Sequence, residues 1–269
     1  MEKSAMDFMA LNGVVLHMQD LGPAERPVLV FSNSLGTDFR IWNDVVARLG
    51  DQFRIVLYDK RGHGLSELGE TPYRIADHVA DLAALLDELA IEGAIVCGLS
   101  VGGLIAQGLY ASRPELVAGL ILSDTAHRIG TAEMWSQRMA AIEQGGIESM
   151  SEAILERWFT KALRENDPIA LAGWRAMLTR TPKEGYLGTC AALRDADFTE
   201  EARRIAVPTL CIVGEEDGAT PPALMRQTAD LIPGARYEVI TGAGHLPCIE
   251  QPAKFAALID AFARENGLA

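Results

Sequence analysis

The chain has 269 residues, of which 49% are hydrophobic, and its 37 acidic and 24 basic residues give a formal net charge of −13. This length fits one large domain or a domain with an insertion, and the hydrophobic content predicts a folded core. The acidic balance argues against nucleic acid and against an anionic membrane as partners. It also means that an anionic substrate requires a local cation in its binding site.

The N-terminal composition and the cysteines predict where the protein resides. Residues 1–13 lack the apolar stretch of a signal peptide, and no run of about 18 apolar residues predicts a membrane span. The four cysteines lie far apart without metal-ligand spacing, and Cys97 and Cys211 fall in strand-like runs. We therefore expect buried free thiols, a cytoplasmic protein, and neither a bound metal nor a membrane partner.

Short apolar runs alternate along the chain with helix-like segments. A hairpin arm is expected at residues 11–17. Six strand-like runs follow it, at 28–31, 55–58, 94–97, 119–122, 210–213 and 237–240. Most of them are continuous rather than alternating, which is typical of strands buried on both faces of a parallel sheet. Helical spacing of apolar residues is found at 75–89, 101–111 and 252–264. This order predicts an α/β fold with a mostly parallel central sheet flanked by helices.

The alternation stops between residues 127 and 186, where the sequence predicts helices only. This stretch holds three of the four tryptophans and four of the nine methionines. We predict a helical cap at 127–186, inserted into a core domain formed by residues 1–126 and 187–269. The large side chains of the cap are suited to line a pocket, and packing of the cap onto the core is their alternative role.

The motif CGLSVGG places Ser100 directly after a predicted strand and before a predicted helix. A strand, a sharp turn and a helix form the setting of a nucleophile elbow. Side chains at Gly98 and Gly102 would collide with neighbouring elements in such a turn, so both positions must be small. The serine then projects above the sheet at the positive end of the helix. Ser100 is therefore the predicted nucleophile.

A serine nucleophile requires a base, and the base requires an acid that orients it. Of the five histidines, His245 lies in a glycine-rich loop after a strand-like run, where open α/β sheets keep their sites. Asp217 follows one buried run, and Asp124, the rival acid, follows another. The order Ser100, Asp217, His245 matches the triad order of the α/β-hydrolases. We predict these three residues as the catalytic triad.

Several stretches of the chain resemble one enzyme family. They are FSNSLGTD at 31–38, YDKRGHG at 58–64, CGLSVGG at 97–103, GAGHLP at 242–247 and, in the predicted cap, IGTAEMW at 129–135. With them the chain resembles the α/β-hydrolases over nearly its whole length and, among these, the 3-oxoadipate enol-lactonases of the β-ketoadipate route for aromatic breakdown. The first and last stretches point to the lactonases, because many other α/β-hydrolases have His-Gly where this chain has Asn33 and Ser34.

The resemblance implies an α/β-hydrolase fold and a serine hydrolase that opens a lactone ring through an acyl-enzyme on Ser100, without a metal or an organic cofactor. Attack on the carbonyl carbon places negative charge on its oxygen, and two backbone N–H groups must await that charge. Val101, the residue after the nucleophile, supplies one. The match to the family's loop assigns the other to Leu35.

The implied partner is a small anionic lactone, because 3-oxoadipate enol-lactone carries a free acetate arm. In the predicted cap helix, Arg138 lies three residues after Trp135 and borders the same apolar face. We predict that Arg138 binds the carboxylate while Trp135 covers the ring. Arg128 is the next candidate for the carboxylate.

Two other classes of function stay open at this point. One is a different serine hydrolase with the same fold, such as a broad esterase, a perhydrolase or a carbon–carbon bond hydrolase. The other is a receptor that keeps the fold and triad but does not turn over its ligand.

Overall fold

The computed structural model describes residues 7–269, so the expectation about a signal peptide falls partly outside the described range. Eight strands within this range form one sheet. In chain order they are β1 (Asp7–Leu11), β2 (Val14–Leu21), β3 (Val28–Ser32), β4 (Arg54–Tyr58), β5 (Ala94–Leu99), β6 (Val117–Ser123), β7 (Thr209–Gly214) and β8 (Arg236–Ile240).

The sheet is mostly parallel, with the strand order β1-β2-β4-β3-β5-β6-β7-β8. Strand β2 pairs antiparallel with β1 and β4, and every other pair is parallel. The β1–β2 hairpin turns at Asn12 and Gly13, whose positive φ angles of 51° and 80° suit these two residue types. Almost every residue of β3, β5, β6 and β7 is buried, because helices cover both faces of a parallel sheet. The predicted α/β fold is confirmed.

Helices follow most strands and pack on the sheet. Those within the described range are α1 (Asn43–Leu49), α2 (Ile75–Glu88), α3 (Val101–Ser112), α4 (Ala132–Gly145), α5 (Ser151–Trp158), α6 (Lys161–Asn166), α7 (Pro168–Thr179), α8 (Lys183–Asp195), α9 (Thr199–Ala202), α10 (Pro222–Leu231), α11 (Pro247–Glu250) and α12 (Pro252–Glu265). Helix α3 packs on β5 and β6, and α1 packs against α12. The three segments with helical spacing correspond to α2, α3 and α12, so these predictions are confirmed.

The chain between β6 and β7 is helical. Helix α4 packs against α8, and α5 and α6 both contact α7. Helix α8 runs through residue 186, the predicted boundary between cap and core. The division into a core at 1–126 and 187–269 and a cap at 127–186 stays a prediction.

None of the helices within residues 7–269 has the length and apolar character needed to cross a bilayer. All four cysteines are free and buried, as expected from the sequence. Burial raises the pKa of each thiol, so none of them is activated as a nucleophile.

Candidate active site

Ser100 lies between β5 and α3 in a backbone conformation that few residues adopt. Its φ of 59° and ψ of −118° are strained for a residue with a Cβ, at a cost of about 1–3 kcal/mol. A Cβ on Gly98 would lie 2.2 Å from the Gly102 carbonyl oxygen, and one on Gly102 would lie 2.1 Å from the Ser32 carbonyl oxygen. The prediction that both glycine positions must be small is confirmed.

Hydrogen bonds on both sides of Ser100 hold this turn. Its backbone N–H donates to the Ser123 carbonyl oxygen at 3.0 Å. Its own carbonyl oxygen accepts from the Thr125 hydroxyl at 2.6 Å and from the Gly103 N–H at 2.9 Å. Ser100 is also the N-cap residue of α3, at the positive end of that helix. The strained turn is therefore fixed by its surroundings.

His245 and Asp217 form a buried hydrogen-bonded pair. The Nδ1 atom of His245 lies 3.0 Å from each carboxylate oxygen of Asp217, and the two residues are 2% and 4% exposed. This contact places the ring proton on Nδ1 and leaves Nε2 as a proton acceptor. The pair comes from the loops after β7 and β8, at the carboxyl ends of the strands.

The Asp217 carboxylate is held in its ionised form. One oxygen accepts from the backbone N–H groups of Ala219 and Thr220 at 2.7 and 3.0 Å, and the other accepts from the Thr220 hydroxyl at 2.7 Å. Burial alone would raise the pKa of Asp217, but the charge of His245 and these hydrogen bonds lower it to about 2. Asp217 is thus a carboxylate at neutral pH, the form that can orient a histidine.

The rival acid, Asp124, lies near this pair but accepts from other donors. The Ser123 hydroxyl donates to it at 2.6 Å, and the Gly214 N–H donates to it at 2.8 Å. Asp124 is fully buried, and burial and the charge of Asp217 raise its pKa well above its ordinary range. Both effects favour the neutral form of Asp124, whereas the hydrogen bond from His245 goes to Asp217.

Asp124, Asp217 and His245 each offer an atom that metal ions bind, and these atoms lie within 4.8 Å of one another. The carboxylate oxygens already accept the hydrogen bonds described above, and the histidine nitrogen that faces Asp217 carries the shared proton. A metal would displace that proton and several of these bonds. The chemistry of the cluster fits a proton-holding network, and we assign no metal to it.

Two backbone N–H groups are free near Ser100. Leu35, in the loop after β3, lines the same cavity as Ser100, and Val101 is the first residue of α3. Among the hydrogen bonds within residues 7–269, none is donated by the backbone N–H of Leu35 or of Val101. Both groups are thus available to an oxygen that develops charge.

The loop that carries Leu35 is supported from behind by buried polar side chains. The Lys60 ammonium donates to the Ser34 carbonyl oxygen at 2.5 Å, and the Asn33 amide donates to the Tyr58 carbonyl oxygen at 2.9 Å. Lys60 is 1% exposed, and burial lowers its pKa to about 7. We assigned no role to Lys60 from the sequence, although it lies inside the YDKRGHG stretch.

Ser100 and His245 line a small cavity of about 50 Å³, called here the inner cavity. Loops after the strands form one side, the core wall, with Ser34, Leu35, Ser100, Thr220 and His245. The segment between β6 and β7 forms the other side, the cap wall, with Met134, Trp135, Arg138, Arg157, Trp158 and Tyr186. The structure thus brings the predicted nucleophile and base to one enclosed space.

The cap wall contains both residues that were predicted to bind substrate. Trp135 is buried, and its indole N–H donates to the Ile129 carbonyl oxygen at 2.6 Å. The Arg138 guanidinium carbon lies 5.4 Å from the centre of the Trp135 ring and 5.7 Å from that of Tyr186. Arg128 lies elsewhere: it pairs with Asp197 at 3.7 Å and lines no part of the inner cavity.

Two further residues of the cap wall were missed by the sequence analysis. Arg157 lines the inner cavity, and its Nε donates to the Gly218 carbonyl oxygen at 3.0 Å. Tyr186 is fully buried, and its hydroxyl has no hydrogen-bond partner within the described residues.

A larger cavity of about 610 Å³ lies beside β2 and the loops after β3 and β4. Its lining includes His17, Asp38, Arg40, Asp59 and Arg180 and none of the predicted site residues. We place the candidate active site in the inner cavity despite its smaller size, because Ser100, His245 and Leu35, whose backbone N–H donates no hydrogen bond within the described residues, all line it.

Comparison with known proteins agrees with this geometry. Residues 28–258 match the model of a family described as "Alpha/beta hydrolase family". The 3-oxoadipate enol-lactonases 1 and 2 of Acinetobacter baylyi are 37% and 35% identical to the chain, over 94% and 95% of both lengths. The crystal structure of the enol-lactonase from Burkholderia xenovorans LB400 superposes with a TM-score of 0.93 at 39% identity, covering 96% of this chain and 100% of that one. The resemblance to these lactonases is confirmed, and the chain belongs to the alpha/beta hydrolase family.

Proposed function

We propose that the protein is a serine hydrolase that opens the ring of 3-oxoadipate enol-lactone to give 3-oxoadipate. The observation that carries this proposal is the inner cavity, where Ser100 and the His245–Asp217 pair face two arginines across a small enclosed space. The names of the similar lactonases support the choice of substrate. The cytoplasmic location expected from the sequence stays a prediction.

The proposed reaction begins with attack of the Ser100 hydroxyl oxygen on the lactone carbonyl carbon. His245 Nε2 takes the hydroxyl proton, and Asp217 stabilises the imidazolium that forms. The backbone N–H groups of Leu35 and Val101 donate to the oxyanion. Losing one such donor typically costs about 3 kcal/mol of transition-state stabilisation.

Collapse of the tetrahedral intermediate breaks the bond to the ring oxygen, which leaves as an enolate or, after protonation by His245, as an enol. An enolate is a better leaving group than an ordinary alkoxide, and tautomerisation of the enol to the ketone draws the reaction forward. The ring-opened substrate stays attached to Ser100 as an acyl ester. A water molecule activated by His245 then cleaves this ester and frees the serine.

The cap wall supplies the cation that the substrate requires. The lactone is an anion and the chain has a net charge of −13, so binding depends on local positive charge. Arg138 can bind the carboxylate in bidentate fashion, and Trp135 is placed to cover the ring. Both assignments are part of the proposal.

The test is turnover of 3-oxoadipate enol-lactone, followed by its ultraviolet absorbance beside a neutral aryl ester. The wild-type protein and Ser112→Ala, a serine at the far end of α3, should both turn over the lactone many times per active site. Ser100→Ala should be inactive. Turnover of the ester without the lactone would indicate a general esterase, and a single binding event without turnover would indicate a receptor. Undiminished turnover by Ser100→Ala would rule out the acyl-enzyme.

A further inference from the structure

The inner cavity is too small to hold the proposed substrate alone. Its volume of about 50 Å³ leaves room for a few water molecules, whereas the substrate is a lactone ring with an acid arm. A second cavity of about 240 Å³, called here the outer cavity, lies next to it against α4 and α5. Met134, Arg138 and Arg157 line both cavities and form the partition between them.

The partition is positively charged in a strongly acidic protein. No aspartate or glutamate within the described residues lines either cavity, and neither Arg138 nor Arg157 pairs with a described carboxylate. Several other arginines between β6 and β7 form ion pairs, although Arg180 and Arg204 have none within the described residues. Arg128, Arg164 and Arg175 pair with Asp197, Glu156 and Glu152. Neither partition arginine forms a direct ion pair within the described residues where the cavities meet.

Polar groups at the partition are also left without hydrogen bonds. The Arg138 Nε and the Tyr186 hydroxyl are buried and have no partner in the described part of the chain. Burial and the nearby charge of Arg138 lower the pKa of Arg157, and the charge of Asp217 offsets them only in part, so the two guanidinium groups repel each other. An anion between them would relieve this repulsion and accept the free hydrogen bonds.

We infer that Arg157 and Arg138 together bind the carboxylate of the substrate at the partition, so that its acid arm extends into the outer cavity while its ring enters the inner cavity beside Ser100. This inference rests on the proposed function for the identity of the substrate. The chemical class that the partition selects is wider: small esters and lactones that carry a carboxylate a few bonds from the scissile carbonyl.

Arg157 has a competing structural role that the test must separate. Its Nε donates to the Gly218 carbonyl oxygen, one residue after Asp217, and a Cβ on Gly218 would lie 3.2 Å from the Arg157 Cα. If this role dominated, removal of Arg157 would disturb Asp217 and slow every substrate equally. Arg164 offers a matched control, because its Nε also donates to a backbone carbonyl, that of Phe159 at 3.3 Å, and it lines neither cavity.

The experiment measures kcat and KM of Arg157→Met, Arg157→Lys and Arg164→Met on three substrates. These are 3-oxoadipate enol-lactone, para-nitrophenyl hydrogen succinate as an anionic ester, and para-nitrophenyl butyrate as a neutral ester of similar size. Arg157→Met should lose about 10- to 100-fold in kcat/KM on both anionic substrates, mainly through KM, because it loses a charge-assisted contact. The kcat/KM for the neutral ester should change by less than about twofold, which corresponds to well under 1 kcal/mol.

Arg157→Lys should recover part of the loss, since a lysine keeps the charge but not the planar fork, and Arg164→Met should match the wild type. Adipate, a dicarboxylate without a scissile bond, serves as a competitive inhibitor, and its inhibition constant should rise in Arg157→Met alone. Equal losses on anionic and neutral esters, or no loss on either, would overturn the inference.

The two proposals fail in different ways. Suppose that the wild type does not turn over the enol-lactone, but Arg157→Met lowers kcat/KM for the anionic ester and not for the neutral one. The proposed substrate is then wrong and the carboxylate site stands. If the wild type opens the enol-lactone and Arg157→Met slows all three substrates equally, the proposed function stands and the carboxylate site is wrong.

Discussion

The core wall and the cap wall of the inner cavity hold their polar groups in opposite ways. Behind the core wall, Asp217 accepts three hydrogen bonds besides that of His245, and the elbow around Ser100 is fixed on both sides. On the cap wall, the Arg138 Nε and the Tyr186 hydroxyl are buried without a partner within the described residues. On the core side the side chains of the nucleophile, base and acid are fixed before a ligand binds, and the N–H groups left open are backbone groups held by the fold. On the cap side it is side-chain atoms that are left for a ligand to contact.

This difference corresponds to a division of tasks between the walls. Groups that act on the carbonyl have to be in place before the substrate arrives, because preorganised dipoles need no rearrangement during the reaction. Groups that select a substrate have to prefer it over water, and a buried atom without a partner provides that preference. We therefore expect changes in the core wall to slow all substrates and changes in the cap wall to alter the choice among them.

The largest effect is expected from the proposed triad of Ser100, His245 and Asp217, whose loss should slow every substrate alike. Ser100→Ala and His245→Ala should each lower kcat by about a million-fold on lactones and esters. The double variant should be scarcely worse than either single variant, because triad members act as a unit. Multiplied losses in the double variant, measured by steady-state kinetics, would show that the two residues act independently.

The next largest effect should distinguish the two neighbouring aspartates. Asp217→Asn should lower kcat by about ten-thousand-fold, because an amide favours the wrong tautomer of His245. Asp124→Asn should retain most of the activity, since the asparagine resembles the neutral acid that burial favours at this position. Comparing kcat of the two variants shows which carboxylate orients His245. A larger loss in Asp124→Asn than in Asp217→Asn would assign that role to Asp124.

A third prediction concerns stability and the buried ammonium behind Leu35. Burial lowers the pKa of Lys60 to about 7, so between pH 7 and its ordinary value the unfolded chain holds a proton that the folded chain has lost. The free energy of unfolding therefore rises with pH in this window. The rise is up to about 1.4 kcal/mol per pH unit relative to a chain without this lysine. Denaturant unfolding of wild type and Lys60→Met measures the difference, and parallel pH profiles would contradict the prediction.

The sequence predicted the core wall well because its signals are local. The CGLSVGG motif fixes a strand, a turn and a helix within a few residues, and the close approach of backbone atoms at Gly98 and Gly102 leaves no room for a side chain at either position. The loop of Asp217 follows the buried strand β7, and the loop of His245 follows the partly exposed strand β8, which runs parallel beside it. Their meeting point could therefore be inferred without a structure.

The cap wall was harder to predict because its residues meet only through tertiary packing. Arg138 was found because Trp135 lies three residues before it on one helix face. Arg157 and Tyr186 come from α5 and α8, and nothing in the local sequence shows that these helices face Arg138. Arg128 was the next candidate for the carboxylate, but its side chain pairs with Asp197 outside the inner cavity.

The division of tasks between the walls is tested most directly by the preference for anionic over neutral substrates. This preference is the ratio of kcat/KM for para-nitrophenyl hydrogen succinate to that for para-nitrophenyl butyrate. It is measured in Arg138→Met, a change in the cap wall, and in Thr220→Val, which removes the hydroxyl that donates to Asp217 at 2.7 Å in the core wall.

Arg138→Met should lower this ratio by about 10- to 100-fold, because only the anionic ester loses a charge-assisted contact. Thr220→Val should slow both esters by the same factor and leave the ratio unchanged. A ratio that stays constant in Arg138→Met, or one that falls as far in Thr220→Val, would contradict the assignment of chemistry to the core wall and recognition to the cap wall.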